Sequence, residues 1–211
     1  MPSTPATPSV APPDNERLLG VERRTAFKGY FQIGEYRFRH SLYQGGAGPE
    51  IKREVFERGH AAAVLPFDPV AGRVVLIRQF RPGAHVAGRH PWIWEIVAGI
   101  IEPGESAADV ARREAMEEAN LAITDLWPMH SFLVSPGGTS ETSTQFLGRV
   151  DSSRAGGVHG LVEEGENILV RTFDLAELRA MLDRDEIGSA SGLAAAQWLL
   201  LNLDAVRARW K

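Results

Sequence analysis

The stretch between Gly99 and Leu121 restricts this chain most. A turn at Glu102-Pro103-Gly104 leads into residues 106–119, which carry helix signals at both ends. Ser106 is a favourable N-cap, and Asp109 three residues on approaches a capping box. Asn120 falls where a left-handed residue closes a helix, a conformation Asn tolerates better than any residue except Gly. At 100° per residue, Glu114, Glu117 and Glu118 lie within about 100° of one another on one face. Three carboxylates that close repel. A solvated helix face interleaves Lys or Arg at the four-residue spacing. No lysine does so here, and Arg113 reads as lying beside the cluster. Ala108, Ala111, Ala115 and Ala119 line the neighbouring face, so the helix can approach a sheet closely and hold its carboxylates rigidly. Two readings follow from the residues alone: an acidic solvated helix, or a cation site. Oxygen donors without soft ligands make Mg2+ the expected ion, with Mn2+ as the substitute.

Composition narrows the chemistry. The 211 residues suit one domain, or one domain with an appendage. The chain has no cysteine, which excludes a disulfide framework, a zinc-thiolate site and cysteine catalysis. A net charge of -4 supplies no basic field for nucleic acid or an anionic membrane. The longest uncharged stretch, 187–203, contains Ser189, Ser191, Gln197 and Asn202 and reads as a buried helix, not a bilayer span. The N-terminus lacks a positive segment followed by an apolar core, so no secretory leader is expected and the expected compartment is the cytoplasm.

Residues 1–14 are rich in proline and read as a disordered tail. Strand character begins near Phe27 and is clear where Tyr36, Phe38, His40 and Leu42 alternate with polar residues. Glycines at 45, 46 and 48 mark a loop, and 54–57 a short strand. Apolar runs at 61–67 and 74–80 form a hairpin around Asp68-Pro69 and Ala71-Gly72. Further strands are expected at 93–97, near Phe132, and at 144–150 and 168–173. Helices are expected at 175–184 and 191–209. The fold class is α/β (α+β), a mixed sheet sandwiched between helices.

Wider spacing adds a resemblance. Gly99, five residues, Glu105, seven residues, then Arg113-Glu114-Ala115-Met116-Glu117-Glu118-Ala119-Asn120-Leu121 resembles the Nudix box, departing from it at Asn120, where the family has glycine. The runs Trp94-Glu95-Ile96-Val97-Ala98-Gly99, Ser135-Pro136-Gly137-Gly138-Thr139-Ser140-Glu141 and Val158-His159-Gly160-Leu161 resemble the ADP-ribose pyrophosphatase branch of that family. The resemblance implies a Nudix fold over 59–211, preceded by a β-rich region, 15–58, exchanged between the subunits of a homodimer. It implies Mg2+-dependent hydrolysis of ADP-ribose, a small nucleotide sugar, to AMP and ribose 5-phosphate. It implies metal ligation by Glu114 and Glu118, supported by Glu117 and the Ala98 carbonyl, with Glu105 and Arg113 orienting the carboxylates. The general base maps to Glu164 in an acidic loop, with Glu166 as runner-up. Arg53 and Arg81 match substrate phosphate or ribose contacts, Glu141 a terminal-ribose contact that follows the Ser135 loop, and Tyr30 an aromatic that stacks on adenine from the other subunit. The alternatives are a hydrolase of another nucleotide sugar such as GDP-mannose, or a non-catalytic ADP-ribose sensor.

Overall fold

The computed structural model describes residues 16–211. The expected tail, 1–14, lies outside the described residues. The chain packs as two compact units. One comprises the described residues up to Gly59 together with 133–141, and the other comprises 60–132 with 142–211.

The first unit is a three-stranded antiparallel sheet of β1 (Leu18–Lys28), β2 (Gln32–His40) and β3 (Ile51–Glu57). Strand β1 was not anticipated ahead of Phe27. All of its residues are exposed, so no buried face imposes an alternating pattern on the sequence. Charged networks tie the strands together. Glu57 accepts hydrogen bonds from Arg23, Gln32 and Tyr36. Glu35, nearly buried, pairs with Arg24 and Lys52. Segment 138–140 joins this unit by backbone hydrogen bonds to Phe56.

The second unit is built on an eight-stranded mixed sheet. Its main path runs β10 (Gly157–His159), β11 (Ile168–Asp174), β5 (Arg73–Phe80), β4 (Ala61–Asp68), β9 (Thr142–Arg149) and β8 (Asp125–Leu133). Strands β4 and β9 are parallel, whereas β4–β5 and β5–β11 are antiparallel. The expected hairpin forms, but β4 and β5 pair only at Phe67↔Val74 and Asp68↔Arg73 before they diverge. The gap is filled by β6 (Trp92–Glu95) on β5 and β7 (Val97–Ile100) on β4. The single strand expected at 93–97 is therefore two strands, because the chain changes partner at the buried Ile96.

Alternation along β4 directs the core to both faces. Ala63, Leu65 and Phe67 pack with Leu178, Met181, Leu199, Val206 and Trp210. These come from α3 (Leu175–Asp183), α4 (Ala190–Leu201), α5 (Leu203–Arg209) and the residue after it. Val64, with Val75 and Ile77 of β5, packs on Ala111, Ala115 and Ala119 of α2 (Ala107–Ala119). Each large aliphatic side chain removed from water contributes roughly 1.5–3 kcal/mol, and the expected helix–sheet–helix layering follows. The helix expected at 191–209 breaks into α4 and α5 at Asn202, whose side chain turns back to donate to the Trp198 carbonyl at 2.8 Å. A short helix, α1 (Pro82–Val86), was also not anticipated. No helix among the described residues is long and apolar enough to cross a membrane.

Candidate active site

The second unit supplies a buried carboxylate centre. Helix α2 starts and stops as its sequence dictates. Ser106 Oγ accepts from the Asp109 N–H at 3.2 Å, and Asn120 adopts φ 51°, ψ 44°. Ala111, Ala115 and Ala119 of its alanine face are buried and Ala108 partly so, which brings the helix hard against the sheet. The contact is so close that a Cβ at Gly99 would collide with the Glu114 carboxylate. That collision is the physical reason for glycine at this place.

Glu118 is 2% exposed. Its Oε2 accepts from the Ala98 N–H at 3.1 Å, and Gln79 Nε2 approaches its Oε1 at 3.5 Å. Burial pushes the Glu118 carboxyl up to about 8; the Ala98 hydrogen bond and the Arg81 charge oppose this, whereas Glu114 and Glu166 add to it. Burial also raises Glu114, against the pull of Arg113.

Arg113 does not lie beside the cluster, as the helical projection suggested, but inside it. Its Nη1 donates to Glu114 Oε1 at 2.8 Å and Glu117 Oε2 at 3.0 Å, and its Nε donates to Glu105 Oε1 at 3.2 Å. The projection fixes Cα directions only, and a long guanidinium side chain reaches both the next residue and the one four places on. Glu105 in turn accepts the Glu102 N–H and closes the loop before α2.

Two nearly buried polar residues of this centre had no role assigned from sequence: Gln79 on β5 and Glu95 on β6. The available signal was a polar residue inside each apolar strand run. Glu95 holds Arg81 through its Nε at 2.6 Å.

Glu164 is exposed on a single 3-10 turn, Val162–Glu164, that ends at Gly165 in the left-handed region. Glu166 closes that turn, its Oε2 accepting the Leu161 N–H at 2.9 Å. Its charge is felt by both Glu114 and Glu118.

The remaining candidates belong to the first unit. Tyr30 is 90% exposed and touches Phe31 edge-to-face. Arg53 on β3 is exposed and donates to the neighbouring Lys52 carbonyl. Glu141 pairs with Arg58 at 3.4 Å, and the Arg58 guanidinium lies over the Phe31 ring. The Ser135 carbonyl accepts the Gly138 and Thr139 N–H groups and shapes the loop that leads to Glu141.

Among the described residues, no three His, Asp or Glu side chains converge tightly enough to hold a metal ion in this arrangement. The donor chemistry nevertheless fits one. Glu118 is buried and Glu114 partly so; burial disfavours both charged forms, Glu117 and Glu166 add to this at Glu114 and Glu114 and Glu166 at Glu118, and a hard divalent cation offsets these penalties.

The NUDIX domain model matches residues 57–195. The chain belongs to the Nudix family. It is 47% identical over 190 residues to ADP-ribose pyrophosphatase of Escherichia coli (strain K12), covering 90% of this chain and 91% of that protein. It is 36% identical to ADP-ribose pyrophosphatase of Haemophilus influenzae (strain ATCC 51907 / DSM 11121 / KW20 / Rd), covering 92% and 90%. The crystal structure of an ADP compounds hydrolase superposes with a TM-score of 0.68 at 20% identity, over 91% of this chain and 96% of that one, which identifies the Nudix fold. Nudix hydrolases generally use divalent metals.

Proposed function

We propose that this protein hydrolyses the pyrophosphate bond of ADP-ribose to AMP and ribose 5-phosphate, with Mg2+ as its metal. The observation that carries the reading is the similarity to ADP-ribose pyrophosphatase over 90% of this chain and 91% of that protein, in a chain that keeps every box carboxylate. Glu114 and Glu118 would hold the metal, with Glu117 and the Ala98 carbonyl in support. When bound, the metal neutralises the pyrophosphate oxygens and promotes attack by water. Arg113 balances the charge of Glu114 and Glu117, and Glu105 fixes Arg113. Glu164 removes a proton from the attacking water. Its turn is bounded by Gly160 and Gly165, both at positive φ, and can move as a unit. Glu166 holds the turn closed and is the alternative base.

Arg81 binds a substrate phosphate, since its guanidinium fork matches phosphate oxygens. Arg53, Ser135 and Glu141 contact the ribose and phosphate portions, and the exposed Tyr30 ring stacks on adenine. The working form is a homodimer with exchanged N-terminal regions. Its support is β1, whose Leu18, Leu19, Val21 and Phe27 stand exposed in the single chain.

The test is a Mg2+-dependent hydrolysis panel of ADP-ribose, ADP-glucose, GDP-mannose and diadenosine polyphosphates, with products resolved by chromatography. Preference for ADP-ribose, abolished by EDTA, is expected. Preference for GDP-mannose would keep the carboxylate centre and discard the roles of Arg53 and Glu141. Binding of ADP-ribose without turnover of any substrate would make the protein a sensor.

A further inference from the structure

Arg81 reaches its working position from a difficult place. It follows the end of β5 and is the N-cap residue of α1, a helix of only five residues. Its side chain is about two-fifths exposed. Among the described residues, the Nε hydrogen bond to Glu95 is the one hydrogen bond its guanidinium makes. An arginine with such freedom would lose several rotamers' worth of entropy on gripping a ligand.

Glu95 removes that freedom. It lies on β6 directly opposite Ile77 of β5, and its neighbour Ile93 lies opposite Gln79. Alternation therefore sets Glu95, Gln79 and Ile77 on one face of the sheet, the face against which α2 packs. The Glu95 side chain is only about one-tenth exposed, so its strand fixes it, and a buried carboxylate of this kind requires a charged partner. It engages Arg81 at Nε. The two terminal amino groups, which form the fork that grips phosphate, stay available.

We propose that Glu95 is a positioning residue for substrate binding: it pins Arg81 through Nε so that the Nη1/Nη2 fork is preorganised toward the pyrophosphate. The inference rests on the assignment of Arg81 to a substrate phosphate.

The test is a double-mutant cycle on the full-length chain. KM and kcat for ADP-ribose are measured with Mg2+ present. The dissociation constant of ADP-ribose is measured by calorimetry in EDTA, where turnover is stopped. Arg81→Ala and Glu95→Ala should each raise KM and the dissociation constant, Glu95→Ala by about tenfold, the loss of one charge-assisted hydrogen bond, and kcat of Glu95→Ala should fall no further than that of Arg81→Ala. Glu95→Gln keeps an acceptor at the same place and should recover most of the affinity. It also keeps the test valid if Glu95→Ala fails to fold. In the Arg81→Ala background, Glu95→Ala should change nothing further. Additive effects in the cycle would overturn the proposal, since Glu95 would then act independently of Arg81. Normal binding by Glu95→Ala beside impaired Arg81→Ala would overturn it while sparing the phosphate assignment. Normal binding by Arg81→Ala would remove that assignment and the proposal together.

Discussion

Glu118 occupies a buried site that destabilises its own charged form. Its carboxyl, pushed up to about 8 by burial, binds a proton more tightly in the folded chain than in the unfolded one. The folded state therefore carries the extra proton between the ordinary glutamate range and about pH 8, and stability falls as pH rises across that window. In EDTA, wild-type protein should lose thermal stability from pH 5 to pH 8. Glu118→Gln should lack this slope and melt several degrees higher at pH 8, while turnover is abolished. Parallel melting curves for the two proteins would contradict the burial argument. Glu164→Gln should leave melting unchanged, because the side chain is exposed, and should lower kcat by about 10²–10⁴-fold if Glu164 is the base. A normal kcat there, with the loss appearing in Glu166→Gln, would transfer the role. The acidic helix face was legible from spacing alone. The place of Arg113 was not, because a helical projection carries no information about how far a side chain bends.

At the scale of elements, legibility followed burial and capping. Helix α2 was readable to within a residue because Ser106 and Asn120 are both positioned by hydrogen bonds that local sequence determines. Asn120 holds a left-handed conformation, so Asn120→Gly should leave stability within about 0.5 kcal/mol, whereas Asn120→Ala should cost about 1 kcal/mol in denaturant unfolding. Equal midpoints for the two variants would show that the backbone relaxes at this helix end. Strands β4 and β5 were readable as apolar runs because their neighbours cover both faces. Strand β1 left no periodic signal ahead of Phe27 because it has no covered face to impose a period, and only the resemblance placed it within a β-rich region, 15–58. The division of residues 92–100 into β6 and β7 depends on how far β4 and β5 diverge, which is a property of the whole sheet and of no local window.

At the scale of the molecule, the mixed sheet between helices could be anticipated from the order of apolar runs and the helix signals between them. The grouping of 133–141 with the N-terminal strands could not, because it depends on long-range backbone pairing to Phe56. The proposed exchange of β1 between two chains belongs to this scale. Sedimentation at micromolar concentration should give a species of twice the chain mass, and Val21→Asp together with Leu19→Asp should shift it toward the monomer. A monomer in the parent protein would remove the dimer from the proposal, and Tyr30 from the adenine site with it. The parallel pairing of β4 with β9 sets Ala61 against Ser143, so the chain between them forms one long closed loop. Helix α2, with Glu114, Glu117 and Glu118, lies inside that loop. Closing it has an entropic cost that grows with its length, but α2 rests on Val64, Val75, Ile77 and Val97 of β4, β5 and β7, strands that precede it in the chain and pair without β9. The carboxylates are thus neighbours as soon as α2 forms, and the contact that joins them to the sheet, Ala98 N–H to Glu118, waits only for α2 to dock on β7, so a nascent chain can assemble the proposed cation site before β9 is made.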